Sequence, residues 1–323
     1  MGIIMTTVLR VEDLRVYYFT SRGTVKAVDG VSLTIDEGDV LGVAGESGSG
    51  KSTLGYAILG LIPPPGRTVS GRIILDDIEL TSLSEDELRK IRWSKVSMVF
   101  QGALNILNPV MRVGDQMAEV LMYHKGVSKE EALKVIREHL KMVGLSPEVI
   151  KRYPHELSGG MKQRVVIAMA LLLKPRLVIA DEPTTALDVV IQAQIMNLLK
   201  QLKEEEKLSM MFITHDLSLI AEIANKVAIM YAGKIVELGS SDDIYLKPQH
   251  PYTQGLLNSI PSVRQRRTLT WIPGAPPDLR NPPPGCRFYP RCPLAMDICR
   301  REEPLLIEVE KGHHVACWLY TKK

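Results

Sequence analysis

Eight consecutive residues, Gly45-Glu46-Ser47-Gly48-Ser49-Gly50-Lys51-Ser52, are suited to gripping a chain of phosphates. They fit G-x-x-x-x-G-K-[ST], the P-loop pattern. Gly45, Gly48 and Gly50 let the backbone turn tightly, so that successive N–H groups point at phosphate oxygens. Lys51 would supply a point charge to the β- and γ-phosphates, and the Ser52 hydroxyl would ligate Mg²⁺. The pattern requires a strand running in and a helix running out. Val40-Leu41-Gly42-Val43-Ala44 reads as a buried strand, and Thr53 to Leu59 reads as the helix. Its positive N-terminal end would face the same anion.

Leu177-Val178-Ile179-Ala180-Asp181-Glu182 is an apolar strand that ends in two carboxylates. The C-terminal ends of such strands are where α/β sheets place ligand chemistry. Asp181 would hold Mg²⁺ through water, and Glu182 would polarise an attacking water. Met210-Met211-Phe212-Ile213-Thr214 repeats the strand pattern and ends at His215. Tyr18, between Tyr17 and Phe19, is a candidate to stack on a flat base.

Cys286, Cys292, Cys299 and Cys317 are spaced C-x₅-C-x₆-C-x₁₇-C, and no cysteine precedes them. In a cytosolic chain such clustering favours a metal or redox site over structural disulfides. The tight C-x₂-C pairs of zinc ribbons are absent. Four thiolates can hold a [4Fe–4S] cluster or a Zn²⁺ ion. His313 and His314, near Cys317, are further possible donors. Whatever binds, a segment this rich in proline needs a staple to fold.

A chain of 323 residues, 24% charged and 45% apolar, has room for one large α/β domain and a smaller appendage. Its net charge of +3 is too small to make nucleic acid a main partner. The longest apolar run, Val165 to Leu173, is about half of what spans a bilayer. The N-terminus lacks a basic leader and meets charge at Arg10, which argues against a secretory signal. The expectation is a cytosolic protein, or one held at a membrane by another subunit.

The elements that would position these groups are legible in turn. Val8–Val11, Leu14–Phe19 and Val31–Ile35 alternate as antiparallel strands do, and Ile73–Ile78 reads as a hairpin. Ser84 with Glu87, and Ser128 with Glu131, form capping boxes. The second opens a helix to Gly144 with Leu133, Ile136, Leu140 and Val143 on one face. Lys95–Phe100 is a strand ending at Gln101, and Ala103 to Tyr153 reads as a helical lobe. Val165 to Leu173 is a helix, and Val227 to Leu238 is a hairpin turning at Ala232-Gly233. Beyond about residue 260 the proline content predicts an ordered but irregular extension.

Leu157-Ser158-Gly159-Gly160-Met161-Lys162-Gln163 resembles the signature of ATP-binding cassette (ABC) ATPases. The P-loop, Gln101 after its strand, the acid-ended strand, Ala186-Leu187-Asp188 and His215 follow that family's order across roughly residues 8–255. The resemblance implies a P-loop NTPase (RecA-like) α/β cassette with an antiparallel β subdomain and a helical subdomain at about 103–157. Residues 256–323 would then be a C-terminal extension. ATP would lie against Tyr18, Gly45, Glu46, Ser47, Gly48, Ser49, Gly50, Lys51, Ser52, Thr53 and Gln101, with Mg²⁺ held through Ser52, Gln101 and Asp181. Glu182 and His215 would be the catalytic pair. Ser158, Gly159, Gly160 and Gln163 would act on the ATP of a second, head-to-tail cassette, with Asp188 in the D-loop between them.

The signature through Met169, Asp181 to Asp188, and His250-Pro251-Tyr252-Thr253 resemble the ATPases of dipeptide and oligopeptide importers, and so does the cysteine tail. That narrower resemblance implies a [4Fe–4S] cluster on Cys286, Cys292, Cys299 and Cys317, with Zn²⁺ the alternative. It also implies a homologous second ATPase, two transmembrane permease subunits and, indirectly, an extracytoplasmic solute-binding protein. The chain would sit peripherally on the cytoplasmic face of the membrane. In one place the sequence departs from the pattern. An Asp-Pro pair commonly follows the glutamine, and here Gln101 is followed by Gly102-Ala103. Related ATPases drive oligosaccharide uptake, so a peptide and an oligosaccharide both stand as expected solutes. A soluble, non-transport ABC ATPase is the remote alternative.

Overall fold

The computed structural model describes residues 6–102, 106–259 and 271–321. They form two compact units, one drawn from residues 6–8, 36–38, 82–102 and 106–212, the other from 9–35, 39–81, 213–259 and 271–321.

The second unit carries the P-loop. The loop leaves the fully buried strand Val40–Ala44 and enters the helix Lys51–Ile58, as the pattern requires. Val40–Ala44 pairs in parallel with Lys226–Tyr231, which turns through Ala232-Gly233 into Lys234–Ser240. Both turn residues have positive φ (50° and 85°), the left-handed pair that a two-residue hairpin demands. A separate sheet is ordered Gly23–Asp36, Thr7–Thr20, Gly66–Leu75 and Ile78–Glu79. The sequence suggests two strands before residue 20, but there is one. Its register shifts between Glu12 and Arg15, where Asp13 takes a φ of 44°, and again between Arg15 and Val16. Gly71 makes this possible, because a Cβ there would sit 2.5 Å from the Asp13 carbonyl oxygen.

The first unit carries the acids and the signature. Val96–Val99 and Leu177–Asp181 pair in parallel, every residue of both buried, with Ser209–Ile213 next in order. The helices Val113–Lys125 and Lys129–Met142 make up the helical lobe, and both expected capping boxes are present. The lobe helix buries Ala132, Ile136, Leu140 and Val143, while Leu133 is only half-buried. The beginning of the expected lobe, at Ala103, lies outside the described residues. The helix expected over Val165 to Leu173 starts earlier, spanning Gly159–Leu171, because Ser158 caps it.

The C-terminal extension is less irregular than its prolines suggest. Asp297–Arg301 is helical, and Ile307–Glu310 forms a hairpin with His313–Val315. The latter pairs antiparallel with Lys234–Ser240, through Glu237 opposite Val315. Sequence reading missed this strand because three residues leave too little alternation to see. It is fixed by a buried carboxylate. Glu237 accepts the N–H groups of Gln249 (2.7 Å) and His250 (3.0 Å) and lies 2.8 Å from His313 Nε2. His313, offered by the sequence as a metal donor, is thus committed to Glu237 and fully buried.

Candidate functional site: a phosphate loop and an acid-ended strand

Close packing shapes the phosphate loop as much as its glycines do. Gly45 has φ +151°, and a Cβ on it would lie 2.1 Å from the Met230 carbonyl oxygen. Gly50 has φ +102° and would clash equally with the carbonyl of Ala27. Only glycine fits either place. Lys51 is buried, and its ammonium donates to the carbonyls of Gly45 (2.8 Å) and Glu46 (2.9 Å) and to Ser49 Oγ (3.3 Å). This holds the charge inside the loop's curve. No side chain caps the helix Lys51–Ile58, whose N-cap is the left-handed Gly50. The positive end of such a helix favours an anion. Ser47 and Gly48 are exposed at the lip of the loop.

The three aromatics before it separate cleanly. Tyr17 donates its hydroxyl to Asp29 (2.6 Å), and Phe19 lies beneath the Arg67 guanidinium at 4.3 Å. Tyr18 is the one that reaches the loop's helix, with its hydroxyl 3.4 Å from Thr53 Oγ1. Its ring passes over Gly66, where a Cβ would come within 2.5 Å of Cε1. Base stacking on an aromatic is worth about 1–3 kcal/mol. Tyr18→Ala is expected to raise the KM for ATP about 5- to 150-fold and to leave kcat nearly unchanged, measured as phosphate release against ATP concentration. His215 is exposed just beyond Thr214, whose N–H donates to the Val43 carbonyl (3.2 Å). That bond sets the histidine beside the P-loop strand's end.

In the other unit, Asp181 is fully buried at the end of its strand. Glu182 stands one residue further, in a left-handed conformation with φ 45°. Such a backbone is costly for a residue with a Cβ and is commonly retained where function fixes it. Its Oε2 accepts from Thr185 Oγ1 (2.7 Å) and Gln101 Nε2 (3.2 Å), which brings Gln101 and Glu182 together. The Thr185 contact was not anticipated. In the signature, Ser158 Oγ accepts from the Met161 N–H (3.3 Å), and Gly160 admits Ile191, which would lie 2.7 Å from a Cβ there. Gln163 is buried. Asp188 caps the helix Val189–Glu206 through the Ile191 N–H (2.9 Å). Next to it Val189 and Val190 are 81% and 67% exposed, an unusual placement for two branched apolar side chains.

Cys286, Cys292, Cys299 and Cys317 line one small cavity together with Phe288 and Trp318. All four are free thiols. Burial, reinforced by the other three sulfurs, pushes the Cys286 thiol up to about 12, and burial pushes Cys317 up to about 11. Among the described residues no group of three or more His, Cys, Asp or Glu has the arrangement of a single-ion site.

The ABC transporter family profile matches residues 28–185, and the profile for the oligopeptide/dipeptide transporter C-terminal region matches residues 236–299. The dipeptide transport ATP-binding protein DppD of Caldanaerobacter subterraneus subsp. tengcongensis is 49% identical over 98% of each chain. The oligopeptide transport ATP-binding protein AppD of Bacillus subtilis is 47% identical over 99% of this chain and 98% of its own. The Escherichia coli oligopeptide transport ATP-binding protein OppD is 49% identical, covering 96% of this chain and 92% of its own. Among solved structures, the dimeric bacterial ABC transporter cassette MJ0796 superposes with a TM-score of 0.65 at 32% identity, covering 72% of this chain and 98% of its own. The same cassette in a post-hydrolysis state bound to ADP and Pi gives 0.63, with the same identity and coverage. The relatives carry the peptide-transport names, and neither the oligosaccharide nor the non-transport alternative is favoured by them. The chain has the ABC-cassette fold and belongs to the ABC transporter family, among its dipeptide and oligopeptide transport ATP-binding proteins.

Proposed function

We propose that this chain hydrolyses ATP to ADP and phosphate to power a membrane importer of dipeptides or oligopeptides. One observation carries the reading: a single chain carries both a P-loop with its lysine drawn into the curve and, one residue past a buried strand, a carboxylate held by Gln101 and Thr185. Residues 8–255 form the ATPase cassette, and 256–323 the extension. ATP lies on the loop from Gly45 to Thr53 with its base against Tyr18, and Mg²⁺ is held through Ser52, Gln101 and Asp181. Phosphoryl transfer asks mainly for positioning and charge neutralisation. Lys51 and the helix N-terminus neutralise the phosphates, Glu182 orients and deprotonates the attacking water, and His215 contacts the γ-phosphate. The signature, Ser158 to Gln163, closes on the ATP of a second, homologous cassette. The exposed Val189 and Val190 beside Asp188 support an interface there.

Among the described residues no helix is long and apolar enough to cross a membrane. In this reading the coupling to transport passes through partner permeases, with the chain held peripherally on the membrane's cytoplasmic face. The helical lobe's unit offers a groove lined by Arg89, Arg92, Trp93, Glu119, Tyr123 and His124. Tyr123 there is 65% exposed, which suits the docking of a permease helix. An extracytoplasmic binding protein would deliver the peptide to those permeases. Purification of this chain from solubilised native membranes tests the assembly. A second cassette, two multi-span subunits and a peptide-binding protein are expected. Co-purification of a sugar-binding protein in its place would overturn the solute.

The cysteine cavity is read as the seat of a [4Fe–4S] cluster, with Zn²⁺ the alternative. Cys299 and Cys317 are buried, Cys286 and Cys292 are half-buried, and all four line one cavity; four thiolates are the ligand set that such a cluster takes. Thiols pushed up by burial ionise only against a compensating cation. Held by Cys286, Cys292, Cys299 and Cys317, the cluster would staple a segment poor in core and could exchange one electron. Anaerobic purification is expected to give about four iron atoms per chain and their loss in Cys299→Ser. Zinc without iron would contradict this.

A further inference from the structure

The second residue of the phosphate loop is a carboxylate, which is an awkward neighbour for a triphosphate. Glu46 is held from three directions. Its carbonyl accepts from Lys51 (2.9 Å), and its N–H donates to the hydroxyl of Tyr252 (2.9 Å). Its side chain receives both terminal nitrogens of Arg291, at 2.6 and 2.9 Å. This is a bidentate, charge-assisted pair, the strongest form such a contact takes. The Arg291 side chain is 5% exposed, so little water screens it. Its remaining nitrogen donates to the Pro273 carbonyl (2.8 Å), and the guanidinium lies 5.7 Å over the Tyr231 ring. Tyr252 is completely buried and packs on Tyr231 and Phe288. Arg291 and Phe288 belong to the C-terminal extension, between Cys286 and Cys292.

We propose that Arg291 is a positioning residue for ATP: it neutralises Glu46 and, with Tyr252, fixes the phosphate loop, making the C-terminal extension part of the nucleotide site. The inference rests on the reading that the loop binds ATP. Two consequences follow from charge and linkage. Removing Arg291 leaves the Glu46 charge uncompensated beside the phosphates, whereas removing both charges leaves nothing to repel. And if a folded extension favours ATP, then ATP must favour the folded extension by the same factor.

The test measures the Kd of a fluorescent ATP analogue for the full-length chain and its variants. Arg291→Gln is expected to weaken binding about tenfold, an ordinary size for a coupling between sites. Arg291→Lys should fall between, since it keeps the charge and loses the fork. The double variant Glu46→Gln/Arg291→Gln should return to within about threefold of the parent. A purely structural bridge would not be rescued by deleting the second charge. Hydrogen exchange on the unaltered protein is the second measurement, independent of whether any variant folds. ATP is expected to slow exchange over residues 286–299. Unchanged affinity in Arg291→Gln, or no slowing with ATP bound, overturns the proposal. If Lys51→Ala loses ATP while Arg291→Gln does not, the loop reading stands and only this inference falls. Should Lys51→Ala bind ATP normally, the loop reading itself fails.

Discussion

Glu182→Gln is expected to lower ATP turnover by about 10²–10⁴-fold, the usual contribution of a general base, while ATP still binds. The substitution preserves size and the hydrogen bond from Thr185 while removing the atom that would take a proton from water. Because Glu182 sits in a left-handed turn and is held by both Thr185 and Gln101, its carboxylate is fixed before ATP arrives. Preorganisation of that kind contributes to the chemical step and little to binding. The variant should therefore retain ATP through gel filtration and elute as a dimer, with phosphate release close to background. Turnover near that of the parent would place the base elsewhere.

Lys51→Ala is expected to weaken ATP binding about 10- to 150-fold, from the 1.5–3 kcal/mol ordinarily carried by a hydrogen bond to a charged group. Here the lysine does two things. It presents a buried positive charge, and it ties the carbonyls of Gly45 and Glu46 to its own helix. Alanine removes the charge and releases the loop, so affinity should fall more than a surface lysine would account for. Calorimetric titration with ATP checks this against the melting temperature, which should move little by comparison.

The P-loop, the acid-ended strand and the hairpin at Ala232-Gly233 were legible because each joins a periodic segment to residues with no other common use. The capping boxes were legible for the same reason: a serine and a glutamate three apart satisfy each other's backbone groups wherever they open a helix. The signature was different. A Ser-Gly-Gly turn has many uses, and only its place after Gln101 and before Asp181 gave it meaning. Contacts across long sequence separation could not be read at all. Nothing near Glu46 announces Arg291, 245 residues away, or Tyr252. The short strand His313–Val315 is likewise specified by its pairing with Lys234–Ser240 and by Glu237, not by a pattern of its own. Thr185 was overlooked because a hydroxyl three residues past a carboxylate is an ordinary turn feature, and its value depends on the φ of Glu182.

Transport in reconstituted vesicles tests the central claim most directly. The purified complex would be placed in proteoliposomes with ATP on the cassette side and labelled di- and oligopeptides, with the binding protein, on the other. Accumulation of peptide that requires ATP and disappears with Glu182→Gln is the predicted result. Peptide uptake indifferent to that substitution, or uptake of oligosaccharide but no peptide, would contradict it.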